Sequence, residues 1–295
     1  MSMDKVLLIG GIGLVGSRVL DLLNKDFEII APSHNELDVL NPSLVKDAIN
    51  QIKPDQVLFA AGFTDVDLAE EKKEECFGLN VKAPEYFVEV TSQKNIPFYY
   101  ISTDYVFDGT KSGAPYTEED APHPVEQVYA QSKYKGEQVV LNDSSINGIL
   151  RIIMPFSAHF AKKQDVARLF ISKLKNKEKI NGIYNQKINP IFVDDLVKAF
   201  SKILKVKAPG IYHLAATDFT TPYDYAKTIA KVFNFDEGLI EKIDFHEYIK
   251  TRPAKRPQNT WLDTSKFRNE FGEGILRTIE EEIRAFKEQL ISERS

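Results

Sequence analysis

Residues 5 to 16, Lys5-Val-Leu-Leu-Ile-Gly-Gly-Ile-Gly-Leu-Val-Gly16, restrict the possible folds of this chain more than any other stretch. They open as a short apolar run suited to a buried strand and continue into a helical pattern in which Val15, Val19, Leu20, Leu22 and Leu23 share a face. Gly10, Gly13 and Gly16 stand between the two at three-residue spacing. Such glycines permit a tight strand-to-helix turn, let bare backbone approach a pyrophosphate and let the helix pack closely on the strand. The unpaired N–H groups of the helix start then face the anion. The segment predicts a βα unit whose first ligand is a dinucleotide.

The same rhythm continues. Phe27–Ala31 reads as a second strand, Asn41-Pro42 as a cap followed by proline at the first helical position, and Leu44, Val45, Ala48, Ile49 and Ile52 as the stripe of a helix that Pro54 ends. Val57–Ala61 and Pro97–Ser102 read as buried strands separated by a long helical region around Glu75 to Lys94. A helix over Val128 to Leu141 then leads to a strand at Gly148–Ile153. Strand and helix alternate, so the expected class is α/β, with a Rossmann-type doubly wound parallel sheet. Beyond Pro155 the pattern is less regular. It predicts a helix near Val166–Lys175, a short strand at Ile191–Val193, a helix to Leu204 capped by Asp194 or Asp195, and a strand at Gly210–Leu214. Further helices are expected to start at Thr221-Pro222 and to carry the Ile279, Ile283, Phe286, Leu290 stripe. The expected division is sequence-interleaved: residues 1–153 plus about 183–215 for the dinucleotide domain, and about 154–182 plus 216–295 for a smaller substrate lobe.

A net charge of −5 argues against a nucleic-acid partner. No apolar run approaches the ~20 residues of a membrane span, and Asp4 and the glycines interrupt any resemblance to a signal peptide. A cytoplasmic protein is expected. The single cysteine, Cys76, is read as a buried inert thiol, and the five histidines show no ligand spacing, so no metal is expected. Glu280-Glu-Glu282 reads as a solvated helix face, and Tyr223-Asp-Tyr225 as packing.

Tyr129 and Lys133 lie four apart on a predicted helix, hence on one face. The pair Tyr223 and Lys227 has the same spacing, and position favours the first, which follows the hydroxyl-bearing strand end Ser102-Thr103 in the cofactor half. A phenol titrates near pH 10, so acid–base work near neutrality asks for a downward shift of about 3 units, worth about 4 kcal/mol. Lys133 is expected to supply much of it, with Thr103 orienting a carbonyl oxygen between itself and Tyr129.

Together the Gly10/Gly13/Gly16 turn, Ala60-Ala61-Gly62, Ser102-Thr-Asp-Tyr-Val-Phe-Asp-Gly109, Tyr129-Ala-Gln-Ser-Lys133, Gly210-Ile-Tyr-His-Leu214 and Arg256-Pro-Gln-Asn259 resemble the extended short-chain dehydrogenase/reductases. Within them the chain is most similar to the dTDP-4-dehydrorhamnose reductase family. The resemblance implies Thr103, Tyr129 and Lys133 as the catalytic set, and hydride transfer from NADPH (NAD being possible) to a 4-keto carbon of a nucleotide-linked 4-keto-6-deoxy sugar. The cofactor set it implies is Gly10, Gly13, Leu14, Val15, Gly16, Arg18, Asp38, Val39, Ala60, Ala61, Gly62, Ser102, Tyr129 and Lys133. Thr64, Val66, Thr103, Asp104 and Met154 are expected at the sugar. Arg256 is expected at the diphosphate, which a guanidinium fork suits, or else in a surface ion pair; Asp104 is equally suited to capping a turn.

Related dehydratases carry an acidic pair after the threonine, whereas here Asp104 is followed by Tyr105, which favours reduction over elimination. Ile152-Ile153-Met154 stands where the reductases often have an aromatic residue. Ala31-Pro-Ser-His-Asn35 has no carboxylate for a ribose 2′-hydroxyl, which tilts the cofactor to NADP, with Arg18 either at a 2′-phosphate or on a solvated helix face. A homodimer is possible, although Arg18 replaces an acidic residue that some relatives use in metal-bridged dimer contacts. The alternatives are a non-catalytic NADP-binding regulatory subunit similar to the β subunit of methionine adenosyltransferase and, behind it, a sugar-nucleotide epimerase.

Overall fold

Strands whose successive residues are apolar on both faces assemble in the computed structural model, which describes residues 3–160 and 164–292, into a sheet buried from both sides. The strands are β1 (Lys5–Ile9), β2 (Glu28–Ile30), β3 (Gln56–Phe59), β4 (Phe98–Thr103), β5 (Gly148–Ile152), β6 (Ile180–Ile183), β7 (Gly210–Leu214) and β8 (Ile240–Ile243). The helices are α1 (Leu14–Leu23), α2 (Pro42–Ile52), α3 (Leu68–Glu71), α4 (Lys73–Phe77), α5 (Ala83–Gln93), α6 (Val128–Asp143), α7 (Val166–Lys175), α8 (Val193–Val206), α9 (Pro222–Phe233), α10 (Phe245–Ile249), α11 (Ser265–Phe271) and α12 (Ile279–Ser292). Six strands form one parallel sheet in the order β2-β1-β3-β4-β5-β7. The reversal of winding between β1 and β3 opens a crevice at their carboxyl ends, where doubly wound sheets bind ligands.

Alternation along each strand sorts the core into two layers. Val6, Leu8, Leu58, Tyr99, Leu150 and Ile152 meet α1, α8 and α11, while Leu7, Ile9, Phe59, Phe98, Tyr100 and Ile149 meet α2, α5 and α6. A third cluster, in which Phe156, Phe192, Tyr225 and Phe286 pack edge to face or tilted, gathers α7, α9 and α12 beside the parallel pair β6–β8. Asn41 caps α2 as expected, its side chain accepting from the Ser43 and Leu44 amides at 3.1 and 3.3 Å, and Thr221 caps α9 from the Asp224 amide.

Several expectations need correction. The helix expected over Glu75 to Lys94 is divided into α4 and α5 by a π-helical turn at Gly78–Lys82; the extra residue swings Asn80 inward, and the Tyr100 hydroxyl donates to its carbonyl at 2.9 Å. Ile191–Val193 is a single bridge between Phe156 and Phe192, because α8 begins at Val193 and removes the next ladder partner. The strands β6 and β8 were not expected; at four residues each, they lack a long alternation.

Neither Asp194 nor Asp195 caps α8, since both carboxylates are taken by arginines. Arg18 on α1 lies neither on a solvated face nor free for a phosphate. It is 7% exposed, and its Nε and Nη2 donate to the two Asp194 oxygens at 2.8 Å while Nη1 reaches Asp21 at 3.1 Å. Asp195 holds Arg277 in the same two-pronged way. Glu282 departs from the solvated face of its neighbours: it is fully buried and accepts from the Phe192 amide at 2.9 Å. Burial, with Asp195 close by, pushes its carboxyl well up.

No helix among the described residues is long and apolar enough to cross a membrane. Removing one partner of a buried ion pair leaves the other uncompensated. Asp194→Ala is therefore expected to destabilise the fold by about 3 kcal/mol in urea unfolding, far more than the same change at exposed Asp21.

Candidate active site

The crevice is built first from backbone. A Cβ on Gly10, whose φ is +94°, would lie 2.6 Å from the Ala61 nitrogen, and one on Gly16 would lie 2.2 Å from the Gly10 carbonyl oxygen, so both glycines serve the close packing of β1, β3 and α1. Gly13 differs. A Cβ there would meet only the Gly10 oxygen, at 3.3 Å, so the space in front of it is not claimed by protein. Gly13 caps α1 with no side-chain bond, and the first turn holds no acidic residue. The first N–H groups of the helix, at Leu14 and Val15, have no carbonyl one turn back and are aligned for an anion. These residues fit the pyrophosphate of a dinucleotide.

Around the cradle, Ala60, Ala61 and Gly62 continue from β3 past Gly10, and Asn80 clamps the next residue, its amide accepting from the Phe63 nitrogen at 2.9 Å and donating to the Phe63 carbonyl at 3.1 Å. On the far side Val39 is packed in the core, while Asp38 is exposed and accepts from the Leu40 amide. In the loop after β2 the carboxylate of Glu36 turns back to accept from the Ser33 amide at 2.7 Å. Ser102 is buried with its hydroxyl oxygen unpartnered, a polar atom left over beside the cradle.

Thr103, Tyr129 and Lys133 converge at the carboxyl end of β4. Lys133, buried on α6, donates to the Ile101 carbonyl at 2.6 Å and lies 3.8 Å from the centre of the Tyr100 ring. Its ammonium is also within 4.0 Å of the position a Gly62 Cβ would take. Desolvation pulls Lys133 down to about 7, opposed by the Glu137 carboxylate one turn along the helix. Glu137 is itself fixed by a fully buried fork from Arg151, with bonds of 2.9 and 2.8 Å.

The downward shift expected of Tyr129 is not what this arrangement produces. The phenol is nearly buried, desolvation pushes it up, the Thr103 hydroxyl opposes that rise, and the Lys133 ammonium is turned to the Ile101 carbonyl instead. Cys76 is buried 3.2 Å from the Ser132 hydroxyl, and its thiol is pushed up by burial. Tyr223 and Lys227 lie apart from this crevice, on α9 in the third cluster.

On the open side, Val66 packs with Phe63, Tyr105 and Tyr129, and Thr64 is exposed. Met154 follows β5 at a φ of +41°, an uncommon conformation for a side-chain-bearing residue. Arg256 donates to the Ala254 carbonyl at 3.0 Å and pairs with Asp67 at 2.8 Å, joining the loops that flank the crevice. Sequence reasoning missed Asp67, Asn80 and Glu137. Only Glu137 had a local sign, lying four residues beyond Lys133 on the same helical face.

This geometry has relatives. A family model described as the RmlD substrate binding domain matches residues 3–291. A dTDP-4-dehydrorhamnose reductase of Aggregatibacter actinomycetemcomitans is 32% identical over 286 residues, 92% of this chain and 94% of that protein. The methionine adenosyltransferase 2 subunit beta of Xenopus laevis is 27% identical, over 93% of this chain and 87% of that one. Among solved structures, a dTDP-4-dehydrorhamnose reductase of Bacillus anthracis in complex with NADP has a TM-score of 0.89 at 24% identity, covering 97% of this chain and 99% of that one. With nearly its whole length matched and the parallel sheet, glycine cradle and Thr-Tyr-Lys crevice in place, the chain belongs to the dTDP-4-dehydrorhamnose reductase family of the extended short-chain dehydrogenase/reductases.

Proposed function

We propose that this protein is a cytoplasmic NADPH-dependent reductase of the 4-keto group of a dTDP-linked 4-keto-6-deoxy sugar. The observation that carries the reading is the convergence of Thr103, Tyr129 and Lys133 at the end of β4, with the Lys133 ammonium close to Gly62. The cradle of Gly10, Gly13, Leu14, Val15 and Gly16 holds the pyrophosphate, with Ala60, Ala61, Gly62 and Ser102 along its wall. NADP is favoured because Ala31 to Asn35, directly after β2, has no carboxylate for a ribose hydroxyl, and the next ones, Glu36 and Asp38, accept from the Ser33 and Leu40 amides. Residues 1–153 with about 183–215 carry the cofactor, and the remainder closes over the sugar.

When bound, the reduced cofactor supplies a hydride to the ketone carbon. The protein's part is to place the ketone oxygen between the Thr103 and Tyr129 hydroxyls and to deliver a proton from Tyr129 as negative charge grows on that oxygen. Burial suits the phenol to this task, since it stays protonated until the substrate draws on it. Lys133, partly charged near neutrality, binds the Ile101 carbonyl and so holds the helix that carries Tyr129 against the strand that carries Thr103. Thr64, Val66 and Met154 border the sugar, and Arg256 stands at the loop pair where the nucleotide diphosphate enters.

Two outcomes are expected. Tyr129→Phe should lower NADPH oxidation with dTDP-4-keto-6-deoxyglucose by about 10²–10⁴-fold in absorbance assays while NADPH still binds. If wild-type protein binds NADPH but turns over no keto sugar, the regulatory-subunit alternative gains. Gly13→Ala, which asks only a few tenths of an ångström of the Gly10 carbonyl, should weaken NADPH binding about tenfold, or ~1.4 kcal/mol by fluorescence titration, with a smaller change in melting temperature than Gly16→Ala.

A further inference from the structure

Two guanidinium groups of the loop that follows α10 share one carboxylate. Asp67 Oδ1 lies 2.8 Å from Arg256 Nη2, and Asp67 Oδ2 lies 4.0 Å from Arg252 Nη1. The Ala254 amide, between the two arginines in sequence, donates to Oδ1 at 3.3 Å. Helix α3 does not use this carboxylate: Asp65 accepts from the Leu68 amide at 3.1 Å, and Asp67 makes no cap bond.

The two arginines are held differently. The Arg256 side chain is 12% exposed, and its Nη1 donates to the Ala254 carbonyl at 3.0 Å. The Arg252 side chain is 39% exposed, and the carbon of its guanidinium lies 4.6 Å from the centre of the Tyr248 ring on α10. A guanidinium resting on a ring keeps its in-plane N–H groups free to donate.

The charges of this loop do not balance. Lys250 pairs with Glu247 at 2.6 Å and Lys255 with Glu126 at 2.8 Å, which leaves two guanidinium groups against Asp67. Asp104 does not make up the difference, because it is buried and accepts from the Thr103 hydroxyl at 3.0 Å. One positive charge is left over at the border of the crevice, one residue beyond Val66, which packs with Tyr105 and Tyr129. A nucleotide diphosphate linked to a sugar carries one negative charge on each phosphate, and guanidinium forks are the matching donors.

Resting on the reductase reading, we propose that Arg252 is a second cation for the nucleotide diphosphate beside Arg256, and that Asp67 competes with the diphosphate for both. Each guanidinium exchanges a carboxylate oxygen for a phosphoryl oxygen, a low-cost exchange because the pairs to Asp67 are partly exposed. Asp67 stays beside the bound diphosphate and repels it, so the carboxylate sets how tightly the nucleotide is held and how readily the product leaves. Arg252 is thus a binding residue and Asp67 a positioning residue; neither takes part in the hydride or proton transfer.

The test is calorimetric titration with dTDP, at about 50 and about 300 mM NaCl, of wild type, Arg252→Ala, Arg252→Lys and Asp67→Asn. Arg252→Ala should weaken dTDP binding about tenfold and flatten its salt dependence, and Arg252→Lys, which keeps the charge without the fork, should recover part of the loss. Asp67→Asn, which still accepts from the Ala254 amide, should tighten dTDP binding about fivefold, the opposite of what a merely structural role for Asp67 predicts. NADPH fluorescence titration of the same variants checks that the cofactor half is intact.

Wild-type dTDP affinity in Arg252→Ala overturns the second cation. Weakened or unchanged affinity in Asp67→Asn overturns the competition and makes the carboxylate a support for Arg256. Should the asparagine variant fold poorly, Asp67→Ser serves the same comparison. If wild type binds dTDP but reduces no keto sugar, the reductase reading falls while the same affinity ratios still decide the roles of Arg252 and Asp67. If wild type binds no dTDP, the proposal falls outright.

Discussion

The bond from the Lys133 ammonium to the Ile101 carbonyl is the contact on which the site depends. It joins α6 to β4 across a buried boundary, so the helix that carries Tyr129 is held in register with the strand that carries Thr103. A buried ammonium carries a large desolvation cost, and the fold offsets it with the Ile101 carbonyl, the face of the Tyr100 ring and the field of Glu137. Glu137 is in turn held by Arg151, and Arg151 by contact with His213 and the Phe107 ring. A chain of polar contacts thus runs from His213 on β7 through Arg151 on β5 and Glu137 to Lys133, and every member of it is buried.

The adjacent aspartates at the start of α8 play the corresponding part between distant helices. Asp194 takes Arg18 from the cofactor helix and Gln289 from the last helix, while Asp195 takes Arg277 from the segment before it. One helix start therefore fastens α1 to the carboxyl-terminal segments. The loops near Thr64 and Arg256 are fastened separately. Those loops meet at the partly exposed Asp67, which pairs with Arg256 and accepts from the Ala254 amide.

Burial is the common cause of the unusual acid–base behaviour in the crevice. It raises Tyr129 and Asp104 and lowers Lys133, leaving a protonated phenol, a carboxyl that readily holds its proton and a lysine only partly charged near pH 7. Such a site holds protons rather than charges until a substrate arrives, which suits a reaction that consumes one proton for each ketone reduced.

Local sequence determined what local physics controls. The glycine spacing, the strand–helix alternation, the Asn41-Pro42 and Thr221-Pro222 caps and the Tyr129–Lys133 face depend on neighbours a few residues apart, and they are legible as such. The partners of Arg18, Arg256 and Glu282, the π-turn at Asn80 and the acidity of Asp104 were decided by the tertiary structure. Each depends on a group 17 or more residues away, or on how completely the chain excludes water from a side chain. No window along the sequence carries that information, because the field at a charge is set by everything packed around it.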